Sequence, residues 1–223
     1  MPRGSVEGVW AVSRVGAMAR ETTKDNLLEA GRRVFLERGY NHSGIESVLQ
    51  AAGVPKGSFY HYFQSKEDFG LQVLERFATA HEADLERFLG DANLRPLDRL
   101  WRLAAATEER LKQWECRNGC LVGNLSQEMA GQSEAFRARL DAIFRGWAGR
   151  YAACLAEAQA AGDVSSELDV RELAEFWLNS WQGAVLRAKT IRSTEPLRTF
   201  VRLMSRFIAP RAGQSGGPAA RDE

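Results

Sequence analysis

Residues 53–70 read GVPKGSFYHYFQSKEDFG. Aromatic side chains this dense mark a buried core, yet polar groups interrupt them at nearly every turn. The run must therefore divide into an inward and an outward face, and that division decides the fold.

Upstream, apolar Leu27, Leu28, Ala30, Val34 and Phe35 share one stripe of a helix predicted over about 23–38, with Gly39 as its stop. A short helix follows over about 45–52, with Ser43 as the expected N-cap and Glu46 three residues on. "AGV" makes a tight turn, Pro55 suits the start of a third helix, and that helix runs to about Tyr62. Three short helices, the last two joined by a three-residue turn, make a helix-turn-helix signature. Phe59 and Phe63, four residues apart, suit the inward stripe with Val48, Leu49 and Val54 as neighbours. Lys56, Gly57, Ser58, Tyr60, His61 and Tyr62 take the remaining surface. Lys56 can reach a phosphate or a guanine edge, Ser58 and Tyr60 can hydrogen-bond bases or backbone, and Gly57 permits close approach. Ser65 with Asp68 opens a fourth helix reaching about Leu89, and Lys66 sits at its start as a phosphate clamp.

Composition narrows the rest. With 30 Lys plus Arg against 29 Asp plus Glu, no global charge argues for a polyanionic partner, so a nucleic-acid reading has to be local. Residues 20–66 hold seven basic against five acidic side chains, a modest surplus. Three cysteines make no disulfide framework and suit a reduced cytoplasmic setting. No run approaches the roughly 18 apolar residues of a membrane span. Ala, Leu, Glu and Arg abound without sustained alternation, which predicts an all-α chain. Further helices are expected over about 97–115, 120–130, 133–160, 169–190 and 195–208. The domain plan is a disordered arm over 1–20, a helix-turn-helix DNA-binding domain over 21–66, a larger helical effector-binding and dimerisation domain over 67–210, and a disordered tail over 211–223.

The stretch LLEAGRRVFLERGYNHSGIESVLQAAGVPKGSFYHYFQSKEDF resembles the DNA-binding segment of the TetR family of bacterial transcriptional regulators. The resemblance implies a helical homodimer whose C-terminal domain binds a small effector, which releases the protein from a palindromic operator. Carried over residue by residue, it puts DNA contacts at Ser43, Lys56, Gly57, Ser58, Tyr60, His61 and Lys66; a packing role for His61 stays open. Two further stretches, GCLVGNLSQEM (119–129) and WLNSWQGAVLRAKTIRSTEPL (177–197), resemble the AcuR-type and NemR-type branch, linked to acrylate metabolism and to sensing of reactive electrophiles.

Those stretches supply the candidate sensing residues. Cys120 opens a helix, where oriented N–H groups favour a thiolate and lower the pKa, and Cys116 precedes it with Arg117 between them. A thiol so activated attacks unsaturated acids, aldehydes or quinones, or is oxidised; otherwise it is a small packed side chain. Zinc is disfavoured, because Cys116 and Cys120 lack a second ligand pair, and no cofactor is expected. Trp177 and Trp181 share a helical face, either as plain core or as pocket lining with Asn124, Gln127 and Gln182. Lys189 either pairs with an effector carboxylate or with Cys120, or ends an amphipathic helix in solvent. The last two helices are apolar over more than one bundle face, which predicts a two-fold dimer built through them, with recognition helices about one DNA turn apart, roughly 34–36 Å. Two competing classes remain, a thiol-dependent helical enzyme using Cys120 and a helical adaptor with a vestigial motif. The first lacks any His in the C-terminal sequence, since His42, His61 and His81 all fall early.

Overall fold

The computed structural model describes residues 22–210; the arm over 1–20 and the tail over 211–223 lie outside the described residues. Within them run nine α-helices and no strand: α1 Thr23–Arg38, α2 Ile45–Ala52, α3 Gly57–Tyr62, α4 Lys66–Leu89, α5 Pro96–Gln113, α6 Leu121–Met129, α7 Glu134–Ala160, α8 Val170–Ile191 and α9 Glu195–Phe207. The chain divides into two compact units inside α4, after Phe77.

In the first unit, α1 begins with a reciprocal cap. The Thr22 hydroxyl accepts the Asp25 N–H at 3.2 Å, and the Asp25 carboxylate accepts the Thr22 N–H at 3.3 Å. The expected stripe of Leu27, Leu28, Ala30, Val34 and Phe35 is buried, and Gly39 ends the helix at φ 81°. Gly53 closes α2 in the left-handed region, and the Val54 N–H reaches back to the Leu49 carbonyl at 3.2 Å, so the turn into α3 is held by its own backbone. Phe59 and Phe63 then meet Phe69 of α4 with ring centroids 5.2 and 4.8 Å apart, and Phe35 of α1 stands 5.8 Å from Phe69. Edge-on aromatic packing of this kind adds about 0.5–1.5 kcal/mol per pair beyond area burial. Gly31 makes room for it: a Cβ there would lie 2.4 Å from Phe69 Cζ.

One expected cap is corrected. Gly44, not Ser43, is the N-cap of α2, and no side chain caps that helix. Ser43 turns inward, 1% exposed, and its hydroxyl donates to the Gly39 carbonyl. Glu46 instead reaches Lys56 Nζ at 3.1 Å. At α4 the expected cap is present: the Ser65 hydroxyl accepts the Asp68 N–H at 3.0 Å.

The second unit is built on α7, which packs against α5, α6 and α8, while α9 lies against α8 and α5. Pro96 starts α5, Ser133 caps α7, and the Asp169 carboxylate caps α8 by accepting N–H groups from Arg171 and Glu172 at 2.8 and 3.0 Å. Its core is aromatic: Trp177 meets Trp101 at 5.0 Å and Phe200 at 5.1 Å, and Trp181 meets Phe200 at 5.3 Å.

Candidate functional site

Helix α3 is six residues long, too short to hold its shape without tertiary support, and Phe59 supplies that support from a fully buried position. With Phe59 and Phe63 fixed inward, the intervening side chains have to point out. Tyr60 is 61% exposed, and Lys56, Gly57 and His61 are exposed as well. Ser58 is partly covered. A Cβ added at Gly57 would meet nothing within 4 Å, so this face is open at its centre. His61 packs edge-on against Tyr62 at 4.8 Å while remaining exposed. Lys56 is paired with Glu46, but both are well exposed, and such a pair contributes about 0–1 kcal/mol, little to surrender to a phosphate.

Two residues expected on this face sit differently. Ser43 is buried with its hydroxyl engaged, so its side chain does not join the outward set. Lys66 is only partly exposed: its ammonium donates to the Tyr40 carbonyl at 2.8 Å and stands 4.4 Å over the Tyr40 ring. Nothing local to Lys66 announces this tie, since Tyr40 lies 26 residues away in the chain.

In the second unit, Cys120, Asn124, Gln127, Gln182 and Lys189 line one cavity of about 280 Å³, together with Gly119, Gly123, Phe144 and Leu186. Cys120 is the N-cap of α6, as its position before that helix predicted. Gln182 crosses from α8, its amide donating toward the sulfur at 3.7 Å. The crossing needs Gly123: a Cβ there would lie 2.9 Å from Gln182 Oε1. Asn124 donates to the Asn118 carbonyl at 3.0 Å and so holds the loop before α6.

The thiol's electrostatics reverse the expectation. Backbone N–H groups of Gly123 and Val122, the Gln182 amide and the charge of Arg110 all pull the Cys120 pKa down, but burial outweighs them and pushes it above the ordinary thiol value. Cys116 is not in this cavity; it is buried in the neighbouring loop, and burial pushes its thiol up too, with Arg192 pulling the other way. Trp177 and Trp181, 2% and 7% exposed, belong to the core, because Phe200 of α9 covers the face they share. Cys154 is also core, its thiol raised to about 11 by burial.

A polar interior near this cavity was missed from sequence. Arg110 of α5 lies 3.6 Å from Asp84, both largely buried, and its charge acts on Cys120, Tyr151 and His81. His81 belongs to this second unit, with its ring 4.3 Å from that of Trp147, and burial and then Arg110 lower its pKa to about 3. His81 and Asp84 are neighbours at i, i+3 spacing on α4, but only packing brings Arg110 and Tyr151 to them.

A third feature is an apolar groove of about 570 Å³ between α8 and α9, bordered by Phe176, Phe200, Leu203 and Phe207. Phe176, Leu203 and Phe207 are each more than half exposed. Among the described residues no group of three His, Cys, Asp or Glu is placed to hold a metal ion, and no helix is long and apolar enough to cross a membrane.

Comparison with known proteins bears on the same regions. Residues 27–73 match the family model described as bacterial regulatory proteins, tetR family, and residues 96–204 match the tetracyclin repressor-like C-terminal domain. The transcriptional regulator AcuR of Cereibacter sphaeroides is 41% identical over 88% of this chain and 90% of its own length. The transcriptional repressor NemR of Escherichia coli K12 is 36% identical over 84% of this chain and 94% of its own. Among solved structures, a cysteine mutant of the TetR family regulator CifR, complexed with 26 bp of double-stranded operator DNA, superposes with a TM-score of 0.72 at 25% identity, covering 82% of this chain and 95% of that one.

Proposed function

This chain belongs to the TetR family of DNA-binding transcriptional regulators, and from that premise we propose that it is an operator-bound repressor released by a small molecule held in the Cys120 cavity. The observation that carries the first half is the split of α3: Phe59 is fully buried and Tyr60, its neighbour, is 61% exposed. Such a helix presents Lys56, Gly57, Ser58, Tyr60 and His61 to a major groove, Lys56 to phosphate and Tyr60 to base edges or backbone. Lys66 exchanges the Tyr40 carbonyl for a phosphate, or steadies the loop from where it is. Ser43 acts from behind the reading face, holding Gly39.

Two copies pair through α8 and α9. Phe176, Leu203 and Phe207 leave an apolar face that one copy cannot cover, and a two-fold partner buries it while matching a palindromic operator. The setting is a reduced cytoplasm, where three free thiols persist.

The Cys120 cavity is at the small end of ligand pockets, which suits an effector of few atoms: an unsaturated acid, an aldehyde or a compact quinone. Lys189 offers a cation to a carboxylate, and Gln182 and Asn124 offer amides to a carbonyl. Burial disfavours the Cys120 thiolate, which favours non-covalent binding over covalent capture. Relatives named as regulators support a non-enzymatic role.

The test is a gel-shift series on the upstream region of the protein's own gene, at stated salt. Sequence-preferring binding that weakens as salt rises is expected. Release by acrylate-like acids or aldehydes is expected to persist in Cys120→Ser and to fail in Lys189→Ala. No preference for operator over scrambled duplex would end the repressor reading.

A further inference from the structure

A second cavity of about 440 Å³ lies in the same unit, walled by Lys112 at the end of α5, by Glu115, Cys116 and Arg117 in the α5–α6 link, and by Arg192, Thr194 and Arg198 around the start of α9. Its charge is one-sided. Four cationic side chains face it with one carboxylate, Glu115, in a chain whose formal net charge is only +1.

Neighbouring acids do not cancel this. Glu108 is shared among Arg198 at 2.7 Å, Thr194 at 2.9 Å and Lys112 at 3.0 Å, so one carboxylate serves two cations. Lys112 also approaches Glu109 at 3.6 Å, and Glu115 takes Arg117 at 2.8 Å, with both of that pair in solvent. Arg192 meets no carboxylate among the described residues; its guanidinium reaches only the Cys116 carbonyl, at 3.4 Å.

Backbone geometry marks the same place. The three non-glycine residues at positive φ among the described residues are Glu115, Cys116 and Arg192, at 50°, 53° and 55°, and all three line this cavity. A non-glycine residue is strained in that region. Arg192 occupies the left-handed cap after α8, where glycine ordinarily ends a helix. An arginine held there carries a cation into the cavity that a glycine would not.

We propose that this cavity is a second ligand site, which takes a small dianion through Arg192 and Arg117 with Lys112 and Arg198 behind them. The shared chemistry is a compact oxyanion bearing two charges, presented either as a phosphate group or as a dicarboxylate; guanidinium forks suit both. The site is independent of the Cys120 cavity and of its effector. The competing role for these cations is to offset the carbonyl ends of α5 and α8, where positive charge is favoured.

Thermal unfolding of the full chain separates the two. Phosphate and succinate are titrated separately at fixed pH and ionic strength, in the wild type, in Arg192→Gly and in Arg117→Gln. Excluded anions raise the melting temperature of any folded protein, so the difference between wild type and variant is the readout. Arg192→Gly removes the fork and relieves the backbone, so its ligand-free melting temperature is expected to hold or rise, while its titration midpoint moves up by roughly tenfold or more. Response to phosphate alone assigns a phosphate head group, and response to succinate alone a dicarboxylate; either supports the site. Equal titrations in wild type and both variants overturn it. So does a ligand-free loss in Arg192→Gly with an unchanged anion response, which assigns the cations to the helix ends. A readout that does not depend on melting is alkylation of Cys116, followed by peptide mass mapping. Dianion is expected to slow it severalfold in the wild type and not in Arg117→Gln, and equal rates with and without dianion would count against occupancy.

Discussion

The two units use opposite arrangements of polarity. Residues 22–77 keep a phenylalanine-rich interior in which Ser43 is the buried polar side chain, and expose Lys56, Tyr60 and His61. Residues 78–210 carry polar and titratable groups inward: Asp84, Arg110, Tyr151, His81 and Cys120. A surface that reads an external duplex can be patterned locally, because the core behind it only has to be shaped. Polar groups withdrawn from water, as in the second unit, each carry a desolvation cost that their neighbours have to offset. Asp84 illustrates it: burial raises its carboxyl pKa even with Arg110 and Arg87 nearby.

The largest test of the contrast is truncation of an aromatic anchor in each unit. Phe59→Ala is expected to cost about 3–5 kcal/mol by urea denaturation and to abolish DNA binding, since α3 loses its fixing side chain. Trp177→Ala is expected to cost a similar amount, about 3–5 kcal/mol, without altering which effectors act, because Trp177 is core and not lining. A change in effector preference would return Trp177 to the pocket.

Next in size is Tyr60→Ala. Operator affinity is expected to fall by about 1–3 kcal/mol while folding stability moves by less than about 0.5 kcal/mol. A stability loss as large as that of Phe59→Ala would mean that Tyr60 is structural and the outward face misassigned.

A pH series probes the interior polarity. His81 has its pKa lowered from 6.5 to about 3 by burial and Arg110, so its neutral form is favoured by folding. The stability it contributes is fully present above pH 6.5 and is lost as pH falls toward 3, at about 1.4 kcal/mol per pH unit. His81→Gln is expected to flatten that decline in denaturation midpoints measured from pH 7 to 5. Parallel curves for the two proteins would show that His81 is solvated in the folded state.

The smallest effect is at the surface. Glu46→Ala frees Lys56 and is expected to change stability by less than about 1 kcal/mol while tightening DNA binding slightly. Weaker binding would mean that Glu46 orients Lys56 for its phosphate.

These contrasts follow how far local rules reach. The bounds of α1 and α2, the turn at Gly53 and the inward pair Phe59 and Phe63 were legible, since apolar spacing and a glycine stop are written within a few residues. Where another partner competes, local rules lose. Ser43 with Glu46 has the form of a cap, but the Gly39 carbonyl takes the hydroxyl and Lys56 takes the carboxylate. Cys120 does open a helix, yet the burial that raises its pKa is imposed by tertiary packing. Asn124, Gln127 and Gln182 were expected as polar lining, and Lys189 beside Cys120 only if the helices converged; packing sets all five around one cavity, whereas Trp177 and Trp181 read equally well as core or lining until Phe200 was placed against them. Arg192 gave no signal at all, because nothing in IRST announces a left-handed cap.

Gly123 has a practical consequence. It is the point where α6 lets Gln182 come up to the sulfur, so a single methyl added there shifts the amide and shrinks the chamber without adding or removing a charge. On the proposed effector reading, anyone recasting this regulator as a biosensor would begin at that bare position, changing the size of molecule admitted without touching the outward face of α3.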